Sequence, residues 1–277
     1  MSEQTFNSPV VLPKTDQYDP RGSIPNTVFA VGLIAAILGA VGGSSLALAS
    51  QSLLNVFSGA WARPQLGIYL GAMCVFHLME FFTTAGWNPQ KLSVDAFLLN
   101  NGRQYHYAHA IGLAEYFLSS WLFPGKWDTF LGSFPWLTLG KVTFTRRQAG
   151  LNDADLEDLV ILGMVVAQGI RSLAMIQAAQ SFSHIVKSKK HDDHMLVTHG
   201  LYSWSRHPSY AGFFYWAVAT QLLLGNIVST LGFVMVLNKF FSARIVDEEK
   251  WLVKFFGSDY VEYRKRVGTK LLFYFSK

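Results

Sequence analysis

Long apolar runs separated by short polar stretches set the pattern of this chain. Residues 26–57 are almost free of charge, and as one helix, at about 1.5 Å per residue, they would far exceed a hydrocarbon core of about 30 Å. Small residues between Gly39 and Ser45 interrupt the run, so we expect two packed helices rather than one span. Six further spans are predicted at 64–86, 104–123, 127–143, 156–182, 210–224 and 227–241.

These runs predict an all-α, polytopic integral membrane protein with about eight transmembrane helices. The last two, separated only by Gly225 and Asn226, should form a hairpin over 210–241. An even number of spans places both termini on one side. More than half of the 23 Lys and Arg lie after Phe182, which favours the cytosol for that side. We therefore divide the chain into a cytosolic segment (1–25), a membrane region (26–182) and a C-terminal third (183–277).

The composition supports this interpretation. Hydrophobic residues make up 51% of the chain and charged residues 15%, which is unusual for a soluble enzyme. The net charge of +5 does not indicate nucleic acid, because the basic residues are sparse and flank the membrane spans. The single cysteine, Cys74, cannot form an intramolecular disulfide and indicates a buried structural thiol.

Several ionisable residues fall inside the apolar spans, where such groups face a bundle interior or a cavity. They are His77, Glu80, His106, His109 and Glu115. One interpretation is a set of hydrogen bonds that link neighbouring helices. The other is a polar path, as in a transporter or channel.

A histidine-rich stretch between His184 and His207 raises the question of a metal. His191 and His194 are three residues apart, and no third ligand follows at a recognised spacing. We therefore expect no metal site.

The chain should re-enter the membrane at the sequence Arg206-His207-Pro208-Ser209. Proline suits the first turn of a helix, and the free N–H groups of such a turn favour anionic ligand atoms. A purely structural cap, with Arg206 on lipid phosphates, is the alternative. Further on, Arg244 and Glu248 are four residues apart on one helix face, either as a surface ion pair or as part of a site.

In these positions the chain resembles the isoprenylcysteine carboxyl methyltransferase family, membrane enzymes that methylate the C-terminal prenylated cysteine of proteins processed at a CaaX box. The similarity rests on combined order and spacing. The residues that carry it are His194 to Val197, Gly200, Tyr202, Arg206 to Tyr210, Gly212, Arg244, Glu248, Glu249, Phe256, Gly257, Tyr260, Tyr263 and Val267, with His77, Glu80, Asn88-Pro89, Leu92-Ser93 and 95–100 in the middle of the chain.

The resemblance implies an endoplasmic reticulum protein that uses S-adenosylmethionine, releases S-adenosylhomocysteine and acts on prenylated CaaX proteins within membrane lipid. It implies a cytosolic cofactor pocket in the C-terminal third, with catalytic roles for Arg171, Arg244 and Glu248 and substrate contacts from both arginines. The implied cofactor contacts are Lys187, His194, Met195, Leu196, Val197, Tyr202, His207, Pro208, Ser209, Tyr210 and Glu248. Lys187 departs from the glutamine of a relative. A phospholipid or sterol acceptor is the alternative substrate.

Overall fold

The computed structural model describes residues 11–12, 23–53, 61–123, 153–186, 189–190 and 194–271. Within these ranges the chain forms eight α-helices: α1 (Val28–Leu53), α2 (Pro64–Trp87), α3 (Arg103–Leu122), α4 (Asp153–Ala178), α5 (Leu201–Trp204), α6 (Pro208–Leu223), α7 (Ile227–Phe256) and α8 (Ser258–Arg266). Short 3-10 helices occupy Pro89–Lys91, Val94–Phe97 and Ala179–Ser181. The all-α prediction is confirmed for the described residues, whose only extended pairing is the isolated bridge between Val11 and Thr27.

The first apolar run forms one continuous helix, so the predicted split near Gly39–Ser45 is wrong. α1 continues through these residues without a turn. The small residues serve packing instead: a Cβ added at Gly67 of α2 would lie 2.4 Å from the Ser45 carbonyl oxygen. Small residues let two helix backbones approach closely in a membrane, which is the reason for their density here.

Residues 26–57 therefore contribute one helix where two were predicted, which lowers the predicted total of eight spans by one. The span proposed at 127–143 lies outside the described residues. Four helical segments are long and apolar enough to cross a bilayer: Val28–Ser50, Pro64–Trp87, Asp158–Ser181 and Ile227–Phe256. The argument that both termini share one side used an even number of spans, and that number depends on 124–152, also outside the described residues. Most of the predicted lead-in, 1–25, lies outside them as well.

The C-terminal helices pack on the centre of the bundle. α6 lies along α4, and at Gly212 an added Cβ would meet the Ala167 carbonyl oxygen at 2.8 Å. α6 and α7 form the predicted hairpin, in which Asn226 donates to the Gly112 carbonyl of α3. Trp216 and Phe214 of α6 are almost completely buried in the main apolar core. This packing fixes the end of α6 that begins at Pro208.

Candidate active site

A cleft of about 640 Å³ opens where α4 ends and α6 begins. Its walls come from the end of α4 and the following 3-10 turn, the segment after residue 193, α5, the start of α6, and the ends of α7 and α8. The lining residues are Ala178, Ser181, Phe182, Ser183, His194, Met195, Leu196, Val197, Tyr202, Arg206, His207, Pro208, Ser209, Tyr210, Glu248, Leu252, Phe256, Tyr260 and Tyr263. We call this the first cleft.

A glycine and a proline shape one wall of the first cleft. Gly200 has φ 58° and ψ −130°, a conformation that is essentially restricted to glycine, and it starts the single turn of α5. Pro208 then occupies the first turn of α6, as predicted. Together they bring Tyr202 and His207 to one cavity, and burial, followed by Glu248 and Tyr263, raises the pKa of Tyr202 well above its usual range.

The Arg206 side chain does not face outward but links this side of the first cleft to the C-terminal helices. Its Nε donates to Glu249 Oε1 at 2.9 Å, and its Nη1 donates to the Arg264 carbonyl at 3.1 Å. His207 Nε2 lies 3.2 Å from the same Glu249 oxygen. Arg206 is 5% exposed, so its sequence-based alternative, a contact with lipid phosphate, is wrong.

Tyr210 connects the two charged residues that the sequence placed on one helix face. Its hydroxyl donates to Glu248 Oε2 at 2.6 Å and accepts from Arg244 Nε at 2.8 Å. The Arg244 guanidinium also lies over the Tyr210 ring, 5.4 Å from its centroid. The pair is therefore bridged by a phenol instead of forming a surface ion pair.

A second cleft, of about 470 Å³, adjoins the first. Its lining is more apolar and consists of Leu98, Asn101, Arg171, Phe182, Ser183, His184, Tyr210, Phe213, Phe240, Phe241 and Arg244. Phe182, Ser183 and Tyr210 line both clefts. The two cavities are thus separated by one thin wall.

Among the described residues, Arg244 is the positively charged side chain of the second cleft that makes no direct ion pair. Besides Tyr210 it contacts the His184 carbonyl oxygen through Nη2, while Nη1 has no hydrogen-bond partner among the described residues. Burial, with further contributions from Arg171, Arg244 and Lys91, lowers the pKa of His184 to about 3. The His184 imidazole is therefore neutral at physiological pH, and an anion in this cleft would find its charge partner in Arg244.

Arg171 is engaged differently. Its Nε and Nη2 both contact the Glu80 carboxylate, the second at 2.9 Å, and its Nη1 donates to Ser209 Oγ at 3.0 Å. Glu80 is 1% exposed and Arg171 6%. All three guanidinium nitrogens are occupied, so this buried pair links α2, α4 and α6 beside the second cleft.

Three of the other four ionisable residues of the spans are also bonded within the bundle, whereas His106 is exposed. Glu115 accepts from the backbone N–H groups of Val228 and Ser229 at the first turn of α7, a helix end that favours negative charge. His77 contacts the Phe97 carbonyl and His109 the Tyr69 hydroxyl, each at 2.8 Å. These contacts are those of the helix-linking interpretation, not of an open polar path.

The structure thus gathers most of the predicted site into two adjoining cavities. Ten of the eleven implied cofactor contacts line the first cleft, and Arg171 and Arg244 line the second; Lys187 lies outside the described residues. Among the residues described, no three His, Cys, Asp or Glu side chains are grouped as metal ligands.

Sequence reasoning missed the wall between the two cavities. Phe182 and Ser183 contribute to both cavities, yet no motif or charge marks them. Only the end of a predicted span at Phe182 hinted that the chain changes direction there.

Comparison with known proteins shows which family this chain is similar to. The profile of the isoprenylcysteine carboxyl methyltransferase (ICMT) family matches residues 159–254. Two curated relatives named protein-S-isoprenylcysteine O-methyltransferase are 42% identical over 80% of this chain and 86% of theirs (Saccharomyces cerevisiae) and 44% identical over 82% and 95% (Schizosaccharomyces pombe). The human protein of that name is 36% identical over 80% of this chain and 69% of its own.

A solved structure has a similar fold. It is described as the eukaryotic intramembrane Ras methyltransferase ICMT, and it superposes with a TM-score of 0.72 at 31% identity over 88% of this chain and 77% of that one.

Proposed function

The chain belongs to the isoprenylcysteine carboxyl methyltransferase family, and from this premise we propose how it works: it methylates the C-terminal carboxylate of prenylated cysteine, with S-adenosylmethionine as methyl donor. The observation that carries the proposal is the pair of clefts that share Phe182, Ser183 and Tyr210. One is lined by the residues expected to hold the donor, and the other combines Arg244 with an apolar lining. Two ligands of opposite solubility could meet where the two clefts adjoin, as methyl transfer requires, because the attacking oxygen must reach the methyl carbon directly.

The residues of the first cleft suit S-adenosylmethionine. The amino-acid part of this molecule carries both an ammonium and a carboxylate group. The cleft offers the Glu248 carboxylate to the former, and Arg206, which lines the same cleft, would supply positive charge for the latter. Tyr202, Tyr260 and Phe256 add aromatic surface beside which a purine could stack. When bound, the donor supplies a methyl group on a sulfonium, which needs no further activation.

The protein's own task is to bind and align the acceptor. An α-carboxyl group with a pKa of about 3.5 is already ionised at neutral pH, so no general base is needed. Arg244, whose Nε and Nη2 are fixed by Tyr210 and His184, would offer its remaining N–H groups to one carboxylate oxygen. The other oxygen would then be free to attack along the line of the breaking bond. Arg171, already paired with Glu80, would support the wall and shape the cleft rather than carry the carboxylate alone.

The prenyl chain would occupy the apolar part of the second cleft. Phe213, Phe241 and Leu98 line it, and Phe240, which is 52% exposed, stands at its outer side. An isoprenoid gains about 0.8 kcal/mol per CH₂ buried in lipid, so it is best delivered sideways from the bilayer. We place its entrance between α7 and the chain around Leu98 and Asn101.

The cellular setting that we propose rests on the family resemblance and on the solubility of these ligands. The partners would be CaaX-processed prenylated proteins, and the enzyme would be a multi-pass protein of the endoplasmic reticulum. The first cleft would open to the cytosol, because the donor is charged and water-soluble. We place both termini on that side as well, which accords with the basic C-terminal third.

The proposal can be tested with purified protein in lipid nanodiscs and methyl-labelled S-adenosylmethionine. The acceptors are N-acetyl-farnesylcysteine, its carboxamide, N-acetylcysteine, phosphatidylethanolamine and a sterol. We expect label only in the first compound, in a form that mild alkali releases as methanol, as a carboxyl methyl ester requires. Label in the carboxamide or only in a lipid would contradict the proposed acceptor. If saturating S-adenosylmethionine neither raises the thermal midpoint of the protein nor leads to methyl transfer, the proposed methyl donor is contradicted.

A further inference from the structure

The wall between the two clefts is a short piece of chain that we call the wall segment, Gln180–His184. It leaves α4 through Ala179, a non-glycine residue with φ 45°, in a backbone region where non-glycine residues are uncommon and strained. A segment that starts in an unfavourable conformation needs fixed partners to remain in place. The residues that bind the wall segment therefore indicate what holds it in place.

On one side the wall segment is held by the chain that follows α2. Lys91 is only 7% exposed, and its Nζ donates to the carbonyl oxygens of Gln180 and Phe182. Asn88 Nδ2 donates to the same Phe182 oxygen at 3.1 Å. Burying a lysine is costly, and here its charge meets carbonyls just beyond the end of α4, a position where a helix favours positive charge. Two residues about ninety positions away in sequence thus converge on one peptide group.

On the other side the wall segment holds residues of both clefts. Ser181 Oγ accepts from the Met195 backbone N–H at 3.0 Å, on the side of the first cleft. The His184 carbonyl accepts from Arg244 Nη2, on the side of the second. The orientation of the proposed substrate arginine therefore depends on where the wall segment lies.

We propose that Lys91 and Asn88 are positioning residues for methyl transfer: they clamp the wall segment and through the His184 carbonyl hold Arg244 in its working orientation. This role rests on the proposed function, since it concerns alignment of the acceptor carboxylate. Neither residue lines either cleft, so both act through the backbone they bind. Loss of the clamp lowers turnover of prenylcysteine by about tenfold or more, because misalignment affects an interaction made in the transition state.

The central test uses Lys91→Met, which keeps the apolar stem and removes the charged donor, with Lys91→Arg as the conservative variant. Asn88→Ala is the milder variant, informative if Lys91→Met does not fold. Tyr116→Phe is the matched control, because it too removes a buried side-chain bond to a backbone carbonyl, that of Trp61, far from the clefts. All are compared in lipid nanodiscs by hydrogen exchange and by steady-state kinetics with N-acetyl-farnesylcysteine.

We expect faster amide exchange in residues 180–184 and a lower kcat in Lys91→Met and, less strongly, in Asn88→Ala. Lys91→Arg should recover most of both, and Tyr116→Phe should change neither. Unchanged exchange of the wall segment in folded Lys91→Met would overturn the clamp. This exchange measurement does not depend on turnover, so it tests the clamp separately from the proposed function. Failure of the proposed function would instead appear as the absence of methyl transfer by the wild-type protein.

A double-mutant cycle tests whether the clamp acts through Arg244. In an Arg244→Lys background, which removes the planar group that contacts the His184 carbonyl, adding Lys91→Met should lower kcat/KM by less than about twofold, since coupled residues are not additive. Losses that simply multiply would show that Lys91 serves stability alone and would overturn the positioning role.

Discussion

Removing the Tyr210 hydroxyl should separate acceptor alignment from donor binding. This hydroxyl accepts from Arg244 Nε at 2.8 Å and donates to Glu248 Oε2 at 2.6 Å. Tyr210→Phe deletes both bonds but keeps the ring that stacks between His207 and Phe241, with centroid distances of 5.4 and 5.0 Å. The variant should therefore fold and retain the shape of the wall.

The size of the effect follows from the charges involved. A hydrogen bond to a charged group contributes about 1.5–3 kcal/mol, and Arg244 retains its second anchor, the His184 carbonyl. We expect kcat for N-acetyl-farnesylcysteine to fall by about 10- to 100-fold, since about 1.4 kcal/mol of barrier corresponds to a factor of ten. The affinity for S-adenosylmethionine should change little, because Glu248 keeps its carboxylate and loses only the hydrogen bond from the Tyr210 hydroxyl.

The assay combines initial rates of labelled methyl transfer with calorimetric titration of S-adenosylmethionine. Tyr215→Phe is the control, because it removes a hydroxyl on the same helix that contacts the Lys270 carbonyl at 3.0 Å and lines neither cleft. A Tyr210→Phe enzyme with wild-type kcat would refute the orienting role of the hydroxyl. A loss of donor affinity equal to the loss of kcat would show that the hydroxyl belongs to the donor site instead.

Three further predictions concern packing, backbone conformation and pH. Gly67→Ala should lower the thermal midpoint, since its Cβ would lie 2.4 Å from a backbone oxygen of α1, whereas Gly39→Ala, with no atom within 4 Å, should not; equal midpoints would contradict the close helix contact. Gly200→Ala should weaken donor binding in calorimetry, because φ 58° and a clash at 2.4 Å with the Gln177 amide would displace α5; unchanged affinity would contradict this. The folded-state pKa of about 3 at His184 lies below an unfolded value of about 6.5, so the unfolded chain takes up a proton first and stability falls as pH drops below 6.5. The fall in thermal midpoint between pH 7 and 5 should be smaller in His184→Gln, and an identical fall would reject this assignment.

Two local features of the site could be predicted from the sequence itself, whereas the set of residues expected in the first cleft came from the family resemblance. The motif from Arg206 to Tyr210 carries its own turn, in which proline fixes the first residue of α6. Arg244 and Glu248 share a helix face by spacing alone. Resemblance to a family then supplied the expected roles.

The contacts between distant segments could not be read in the same way. Nothing local to Glu80 indicates that Arg171, ninety-one positions away, binds it with two nitrogens. The break predicted in α1 failed for a related reason: glycine and serine permit either a turn or a close helix contact, and only the partner helix decides. No sequence pattern singles out Lys91, because its acceptors are backbone carbonyls.

The different surroundings of the two arginines support the proposal that Arg244, rather than Arg171, binds the acceptor carboxylate. A charge buried in a membrane bundle must be compensated, and Arg171 meets Glu80 with geometry that leaves it no free nitrogen. In the part of the chain that the structure describes, Arg244 is oriented by a phenol and a carbonyl, neither of which carries a negative charge. Under the proposed function the acceptor carboxylate would balance this charge in the second cleft, so an acceptor with a blocked carboxyl group should bind more weakly than the free acid even when its isoprenoid is intact.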